Sequence, residues 1–317
     1  MERSILQLFP TESRTIWTEA AREQDRLQEI RLRAYKPIVI QRSGKEFFLR
    51  EDGSFTRDFR EGICTTPEEL ERLLQHICRY SVYAYEEELR KGYLTVAGGH
   101  RVGVAGQAVA EETGGVRTLK NIYFMNIRIA HEIKGAADGI MEEMYEAGRL
   151  RNTLIISPPG CGKTTLLRDL IRQISDGTVY GRGMTVGVVD ERSELAGCLL
   201  GIPQLDVGMR TDVMDGCPKL YGMNMLLRSM APRVIAIDEL GSREELECLQ
   251  NAAFGGCGIL ATVHGTCMED VERRFCITRE RFRNLFDRCL LLAGRCDEGG
   301  VRITEEILDG NSNGHWI

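Results

Sequence analysis

The sequence feature that most constrains this chain is the stretch NTLIISPPGCGKTTLLRDLIRQI, at residues 152–174. An apolar strand is predicted over residues 154–156, and a turn rich in proline and glycine follows it. A helix is predicted after the turn, because its apolar side chains recur every three or four residues: Leu166, Leu167, Leu170, Ile171 and Ile174. A strand, a glycine-rich turn and a helix in this order are the setting of a phosphate-binding loop.

The turn also has the composition that phosphate binding requires. Gly160 and Gly162 allow backbone N–H groups to converge on an anion, and the start of the helix adds its positive dipole end. Lys163 is expected to reach the terminal phosphates, and the Thr164 hydroxyl to ligate Mg²⁺. Ser157 replaces the usual first glycine, at a position that starts the turn without touching phosphate. The predicted nucleotide-binding residues are Ser157, Pro158, Pro159, Gly160, Cys161, Gly162, Lys163, Thr164 and Thr165.

Composition and charge restrict the class of protein. The 317 residues suffice for two domains, and the net charge of −6 disfavours a nucleic-acid partner. The eleven cysteines show no C-x-x-C pairing, which indicates reduced thiols and not a zinc site. No apolar run approaches the ~20 residues that span a bilayer, and MERSILQLF lacks the apolar centre of a signal peptide. We therefore expect a cytoplasmic protein that is at most peripheral to a membrane.

The first part of the chain, residues 1–140, predicts a smaller α+β domain. Residues 11–34 have a largely helical pattern, and residues 38–40 and 47–49 flank a turn as the strands of a hairpin do. Further strands are predicted at residues 93–96, 101–104 and 123–129.

The second part, residues 141–317, alternates strands with helices, which predicts an α/β core with a parallel sheet. The connection at residues 191–221 is long for a compact domain, and long connections are usually functional. Parallel strands are expected at residues 153–156, 185–189, 234–237 and 259–263, and a late hairpin at residues 289–292 and 301–303.

Acidic residues follow the strand at residues 234–237. Asp238 is placed to hold Mg²⁺ through water, and Glu239 to polarise an attacking water. The alternative is that this acid pair caps the next helix. Because the run Ser-Arg-Glu-Glu at residues 242–245 already supplies a cap, that alternative is weakened.

Two further strands end in polar residues at the same predicted edge. Residues 190–194, which include Glu191 and Glu194, follow one strand, and His264 ends another. Ligands bind at this edge of such sheets. We therefore predict that an acid of this run is catalytic and that His264 senses the γ-phosphate. The alternatives are an exposed charged turn and a structural histidine.

The phosphate loop, the acidic box VVDERSE, the apolar strand ending in DE and the box ATVHG, in this order, resemble the secretion ATPase superfamily. That superfamily includes the motors of type II secretion, type IV secretion and pili, and it places a small domain before a RecA-like core. Longer segments are similar to a sporulation protein family of endospore-forming bacteria: YAYEEELRKGYLTVAGGHRVGVAG, TLKNIYFMNIRIAHEIKG and RTDVMDGCPK with GMNMLLRSMAPRVIAIDELG. The resemblance covers about residues 25–300.

The resemblance implies a Mg²⁺-dependent ATPase that forms hexameric rings with ATP between subunits. It implies that arginines of the preceding domain reach the nucleotide, here Arg101 in GGHRVGV and Arg128 in MNIRIAH. Solvated strand arginines are the alternative for both. The implied partner is a membrane-embedded channel complex between mother cell and forespore, served from its cytosolic face in the mother cell.

The sequence leaves the identity of the catalytic acid and two alternative functions open. The box begins Asp-Glu-Arg where the superfamily often has Glu-Asp-Pro, so Asp190, Glu191 and Glu194 all remain candidates for the catalytic acid. A RecA-like translocase on single-stranded nucleic acid is a second candidate function, although no aromatic and basic stripe supports it. A nucleotide-gated scaffold that hydrolyses little ATP is a third.

Overall fold

The computed structural model describes residues 5–111, 114–295 and 301–306, and the chain divides into two compact units. The first unit is Met1–His131 and the second is Glu132–Ile317, whereas the sequence places the boundary after residue 140. His131 Nε2 hydrogen-bonds the Leu27 carbonyl oxygen of the first unit at 2.8 Å. The Glu132 carboxylate accepts a hydrogen bond from the Asp206 N–H of the second unit. Adjacent residues are therefore anchored in different units.

The first unit contains a seven-stranded antiparallel sheet in the order β4-β3-β2-β1-β7-β6-β5. Its strands are β1 (Leu27–Arg33), β2 (Val39–Arg42), β3 (Lys45–Leu49), β4 (Phe55–Thr56), β5 (Tyr93–Thr95), β6 (Arg101–Ala110) and β7 (Val116–Arg128). Its α-helices are α1 (Thr18–Arg22), α2 (Pro67–Ile77) and α3 (Glu86–Arg90). The predicted α+β class of this part is thus the observed one.

The helical prediction for residues 11–34 is wrong over its second half. Helical turns occupy Thr11–Trp17 and α1, but residues 27–33 form β1, which pairs with both β2 and β7. Ile30 and Leu32 are buried on one face, and Arg31 between them, which is only half-buried, points to the other. The alternation of buried and partly exposed residues extends over only a few positions, so it is a weak strand signal. Pairing with β2 and with the distant strand β7 is what makes this segment a strand.

The second unit contains a seven-stranded sheet in the order β12-β11-β13-β14-β10-β15-β16. All its neighbouring strands are parallel except the β15–β16 pair. The strands are β10 (Thr153–Ser157), β11 (Val186–Asp190), β12 (Thr211–Asp215), β13 (Val234–Ile237), β14 (Gly258–His264), β15 (Arg288–Arg295) and β16 (Val301–Glu306), preceded by a small pair, β8 (Tyr145–Glu146) and β9 (Arg149–Leu150). The helices are α4 (Lys163–Asp176), α5 (Lys219–Ser229), α6 (Arg243–Phe254), α7 (Met268–Phe275) and α8 (Arg279–Arg283).

The long connection predicted at residues 191–221 contains a strand that the sequence did not reveal. Strand β12 pairs in parallel with β11, with Val213 opposite Val188, and forms one edge of the sheet. Its sequence TDVMD has only two apolar residues, Val213 and Met214, and all five residues are only partly buried. An edge strand needs few apolar residues, so its signal is weak.

Strand β10 is buried on both faces, as central parallel strands usually are. Ile155 packs in the core that includes Leu170 of α4. Leu154 and Ile156 pack in the other core, on the side of α6 and α7. The two cores therefore hold the carboxyl end of β10 and the start of α4 rigidly.

The segment after Glu132 joins the second unit through a buried carboxylate. Asp169 of α4 is 3% exposed and accepts hydrogen bonds from the Ala137 N–H (2.9 Å), Gln173 Nε2 (2.9 Å) and Arg172 (2.7 Å). Burial alone would raise the pKa of Asp169, but these donors outweigh it and hold the pKa below its ordinary value of 3.8. This network explains why residues 132–140 belong with the core.

We expect Asp169→Asn to lower the free energy of unfolding by about 1.5–3 kcal/mol at neutral pH, because buried donors lose a charged acceptor. The stabilisation by a carboxylate of lowered pKa is present above its unfolded pKa and is lost as the pH falls through the folded one. The deficit of the variant should therefore shrink below about pH 3.8. Urea unfolding between pH 7 and pH 3 measures it.

The matched control is Glu142→Gln, an exposed change of the same charge in the same segment. It should stay within about 0.5 kcal/mol of the wild type. An Asp169→Asn deficit that is absent at pH 7, or that grows on acidification, would contradict the assigned network.

Candidate functional site

The loop that is predicted to bind phosphate lies at the carboxyl end of β10. Ser157 is fully buried at the end of the strand, and α4 begins at Lys163 with Gly162 as its N-cap residue. Gly160 has φ of 78° and Gly162 has φ of 92°, in the left-handed region that glycine adopts without steric cost. Such a loop leads backbone N–H groups and the helix start towards one point, which suits an anion.

Lys163 is almost buried, at 6% exposure, and its ammonium group lies among residues from other strands. Its Nζ atom donates to Glu239 Oε1 at 3.0 Å and lies 3.4 Å from His264 Nε2. Residues predicted separately from three strand ends are therefore in direct contact. A buried cation at a loop of this kind is suited to phosphate oxygens.

Glu239 is held in an unusual backbone conformation. Its φ of 61° is left-handed, which is costly for a non-glycine residue, and its N–H donates to Thr262 Oγ1 at 2.8 Å. Its carboxylate contacts Lys163, His264 Nε2 at 2.9 Å and Arg192 at 3.5 Å. Burial raises the pKa of Glu239, but the hydrogen bond and charge of Lys163, with His264, lower it overall. Strain of this kind is typical of functional sites.

Asp238 faces the first turn of α4. Its Oδ2 atom accepts a hydrogen bond from Thr164 Oγ1 at 2.7 Å, and its Oδ1 accepts one from Thr262 Oγ1 at 2.5 Å. A hydroxyl and a carboxylate beside a phosphate loop are the hard oxygen donors that Mg²⁺ prefers. Within the described ranges, no cluster of three or more His, Cys, Asp or Glu could hold a metal alone. The residues thus fit a magnesium ion that is shared with phosphate oxygens and water.

The three acids of the 190–194 run, which the sequence could not separate, have different environments. Asp190 is 3% exposed, and its carboxylate accepts the N–H groups of Glu194 (2.8 Å), Leu195 (3.0 Å) and Ala196 (2.8 Å). Burial raises its pKa to about 6 despite these bonds. Asp190 therefore serves to shape the loop that follows β11.

Glu191 and Glu194 are less buried than Asp190 and have other partners. Glu191 Oε2 is 2.9 Å from Nζ of Lys219, and the Glu194 carbonyl oxygen accepts a hydrogen bond from Arg168 at 2.7 Å. A recess of about 20 Å³ lies between this run and the end of β13. Its lining residues are Val189, Asp190, Glu191, Arg192, Glu194, Lys219, Asp238 and Glu239.

His264 ends β14 directly beside the phosphate loop, opposite Ser157 in the strand register. Its Nε2 atom is shared between Lys163 and Glu239, whereas its Nδ1 atom is buried without a hydrogen-bond partner among the described residues. In this arrangement His264 contacts the groups that would surround a phosphate.

Arg101 and Arg128 belong to the first unit, where they lie opposite each other on β6 and β7. The guanidinium of Arg101 stacks over the Tyr93 ring, 3.6 Å from its centre. Arg128 is exposed, and its Nε atom is 3.9 Å from Glu29 on β1. The two arginines therefore form a pair on one face of the antiparallel sheet.

Three residues of the second-unit site were not singled out from the sequence. Thr262 binds both Asp238 and Glu239, Arg192 approaches Glu239, and Lys219 pairs with Glu191. Of the three, only Lys219 stands out in the sequence itself, because a cation at the start of a helix is repelled by the helix dipole. The other contacts depend on the strand order, which a single sequence does not reveal.

Solved structures with the same fold include a pilus retraction motor and an ATPase. The chain aligns with the pilus retraction motor PilT with bound ADP at a TM-score of 0.62 and 16% identity, covering 94% of this chain and 83% of that chain. The ATPase DotB of Legionella pneumophila aligns at a TM-score of 0.56 and 16% identity, covering 95% and 83%. These likenesses show that the second unit has the RecA-like phosphate-loop fold of secretion ATPases.

Sequence comparison identifies the family. Protein SEEDLING PLASTID DEVELOPMENT 1 of Arabidopsis thaliana is 27% identical over 149 residues, which are 46% of this chain and 21% of that protein. Stage III sporulation protein AA of Bacillus subtilis (strain 168) is 39% identical over 310 residues, 98% of this chain and 95% of that protein. The family model described as "Sporulation stage III, protein AA" matches residues 1–308. The chain therefore belongs to the family of stage III sporulation protein AA.

Proposed function

We propose that the protein is a Mg²⁺-dependent ATP hydrolase that works as a ring-forming motor for a membrane complex in sporulation. One observation carries the proposal. The ends of three neighbouring strands, β10, β14 and β13, bring Lys163, His264 and Glu239 together at the loop that we propose binds phosphate. Phosphoryl transfer needs little more from a protein than such positioning and charge.

The loop and Lys163 would hold the β- and γ-phosphates of ATP. Thr164 and Asp238 would hold Mg²⁺, which neutralises phosphate charge when it is bound. Since Lys163 now contacts Glu239, the phosphates would compete with that carboxylate for the ammonium group. Nucleotide binding would thereby release one oxygen of Glu239 to hydrogen-bond water.

In hydrolysis, the water oxygen forms a bond to the γ-phosphorus while the bond from phosphorus to the β,γ-bridging oxygen breaks. ADP leaves with that electron pair, and the proton of the water passes to a carboxylate or to the phosphate produced. Glu239 would orient the water, and Glu191, across the small recess, is the second acid placed to do so. The buried, fully bonded Asp190 would not take this role.

Arg101 and Arg128 would act on the nucleotide of a neighbouring subunit. Their place opposite each other on β6 and β7 supports a joint role, because an anion between two guanidinium groups relieves their repulsion. An arginine supplied in this way accelerates phosphoryl transfer by roughly 10³–10⁵-fold in other enzymes. We propose a hexameric ring as the arrangement that delivers them.

The proposed partner is a membrane-embedded channel complex between mother cell and forespore. Membership of a sporulation family and a fold shared with a pilus retraction motor support it. In the part of the chain that the structure describes, no helix has the length and apolarity to cross a membrane. We propose that the protein works from the cytoplasm of the mother cell, at the cytosolic face of that membrane.

We expect Lys163→Ala to raise the dissociation constant for ATP by roughly 100-fold, because the phosphates lose a nearly buried cation. Titration with a fluorescent ATP analogue measures this. Lys45→Ala, an exposed lysine of the first unit, is the control and should bind as the wild type does. Unchanged affinity in Lys163→Ala would refute the phosphate-loop assignment.

Glu239→Gln should retain ATP binding and lower kcat by roughly 100-fold or more, since an amide orients and accepts from water less well than a carboxylate. The measurement is ATP hydrolysis with Mg²⁺ as a function of protein concentration. Specific activity that rises with concentration and falls in the variant supports a motor with shared sites.

Other outcomes of this measurement favour the alternatives. A low rate that is independent of concentration and unaffected by Glu239→Gln would indicate a nucleotide-gated scaffold. Stimulation by single-stranded DNA added to the same assay would indicate a nucleic-acid translocase.

A mixing experiment tests whether the arginines act between subunits. Arg101→Ala and Lys163→Ala should each be nearly inactive, but a mixture should regain activity where an intact arginine faces an intact phosphate loop. Arg117→Ala, an exposed arginine on β7, is the control and should be active alone. An inactive mixture whose subunits exchange, as shown by energy transfer between labels, would contradict shared sites.

A further inference from the structure

Lys219 occupies an unfavourable position for a lysine. It is the first residue of α5, where the helix dipole repels a cation, and no acidic residue stands in the first turn to offset it. Its side chain is only 12% exposed, so water solvates the charge poorly. A buried cation in such a place needs a partner, and the partner is Glu191, at 2.9 Å.

The ion pair forms part of the wall of the recess beside the proposed reaction centre. That recess, of about 20 Å³, is also lined by Asp238 and Glu239. A polar cavity of roughly 10–15 Å³ or more holds one water molecule. The lining supplies several carboxylates to such a water, so the recess is suited to hold one beside Glu239.

Charge explains why Glu191 needs a cation there. Carboxylates dominate the lining of the recess, and the other cation that lines it, Arg192, is 64% exposed and contacts Glu239. Without Lys219, repulsion from Asp238 and Glu239 would favour rotamers that turn Glu191 towards solvent, to which it is already 38% exposed. The position of the Glu191 carboxylate therefore depends on Lys219.

We propose that Lys219 is a positioning residue for hydrolysis, which holds the Glu191 carboxylate at a recess for one water molecule beside Asp238 and Glu239. The inference rests on the proposed ATPase function and adds a residue to its site. Lys219 forms no bond to the reactants and transfers no proton. It acts through Glu191, so its effect should require that Glu191 be present.

A double-mutant cycle tests this dependence. The wild type, Lys219→Met, Glu191→Gln and the double variant are compared for kcat and KM in ATP hydrolysis with Mg²⁺. We expect each single variant to lower kcat on the order of 10- to 100-fold, since small misplacements at a reaction centre have effects of this size. KM should change by less than about 3-fold, and the double variant should match Glu191→Gln, because the effects of coupled residues do not add.

Two further variants separate positioning from a structural role. Lys219→Arg keeps a cation beside Glu191 and should recover most of kcat. Arg228→Met removes an exposed cation at the other end of α5 and should behave as the wild type. Thermal unfolding and binding of an ATP analogue, measured on every variant, identify one that fails to fold.

The possible failures are distinguishable. If the wild type does not hydrolyse ATP, or if Glu239→Gln hydrolyses it as fast as the wild type, the proposed function is overturned and this inference with it. If hydrolysis depends on Glu239, the proposed function stands, and three results would overturn the inference alone. They are a wild-type kcat in Lys219→Met or in Glu191→Gln, losses that multiply in the double variant, and a Lys219→Arg variant as slow as Lys219→Met. If Lys219→Met does not fold, Lys219→Gln, which also lacks the charge but keeps a polar end, takes its place in the cycle.

Discussion

The arrangement of the second unit depends on one buried threonine. Thr262 of β14 gives its hydroxyl to Asp238 and accepts the N–H of Glu239, and its carbonyl oxygen accepts the N–H of Leu240. These bonds hold the chain as it leaves β13 and stabilise the left-handed conformation of Glu239. Because β14 lies between β13 and β10, the same strand sets the distance from both acids to Lys163 and Thr164. The parallel register of three strands thus converts separate sequence motifs into one cluster of charges.

Electrostatics within that cluster is balanced locally. Two of its carboxylates contact cations from other elements: Glu239 contacts Lys163 and Arg192, and Glu191 contacts Lys219. Asp238 instead accepts hydrogen bonds from the hydroxyls of Thr164 and Thr262. Asp190, which lies deeper, is satisfied by backbone N–H groups and has a raised pKa. Glu191 and Glu239, which line the recess, thus each keep a neighbouring cation where negative charge would have to be tolerated beside the proposed nucleotide.

Much of the fold and of the candidate site is predictable from the sequence, and the exceptions depend on how distant parts of the chain pack together. Strands β10, β13 and β14 are runs of buried apolar residues, and the glycines and Lys163 between β10 and α4 leave few alternatives to a phosphate loop. The sequence does not reveal β1 because one of its two pairing partners, β7, is distant in sequence, and it does not reveal β12 because an edge strand needs few apolar residues. The acids of the 190–194 run look alike in sequence, and only burial and hydrogen bonding separate Asp190 from Glu191. The boundary after residue 140 stays a prediction, although the buried Asp169 binds the N–H of Ala137 and so ties residues before 140 to the second unit.

The way the chain passes between its units has a mechanical consequence. His131 is hydrogen-bonded to the first unit and the next residue, Glu132, to the second, so the connection is a single peptide link. A flexible tether would let its ends drift apart by a distance that grows with its length, and a displacement would be absorbed as slack. Here one peptide unit joins the two anchored residues, so a pull along the chain takes up no slack before it reaches the next unit.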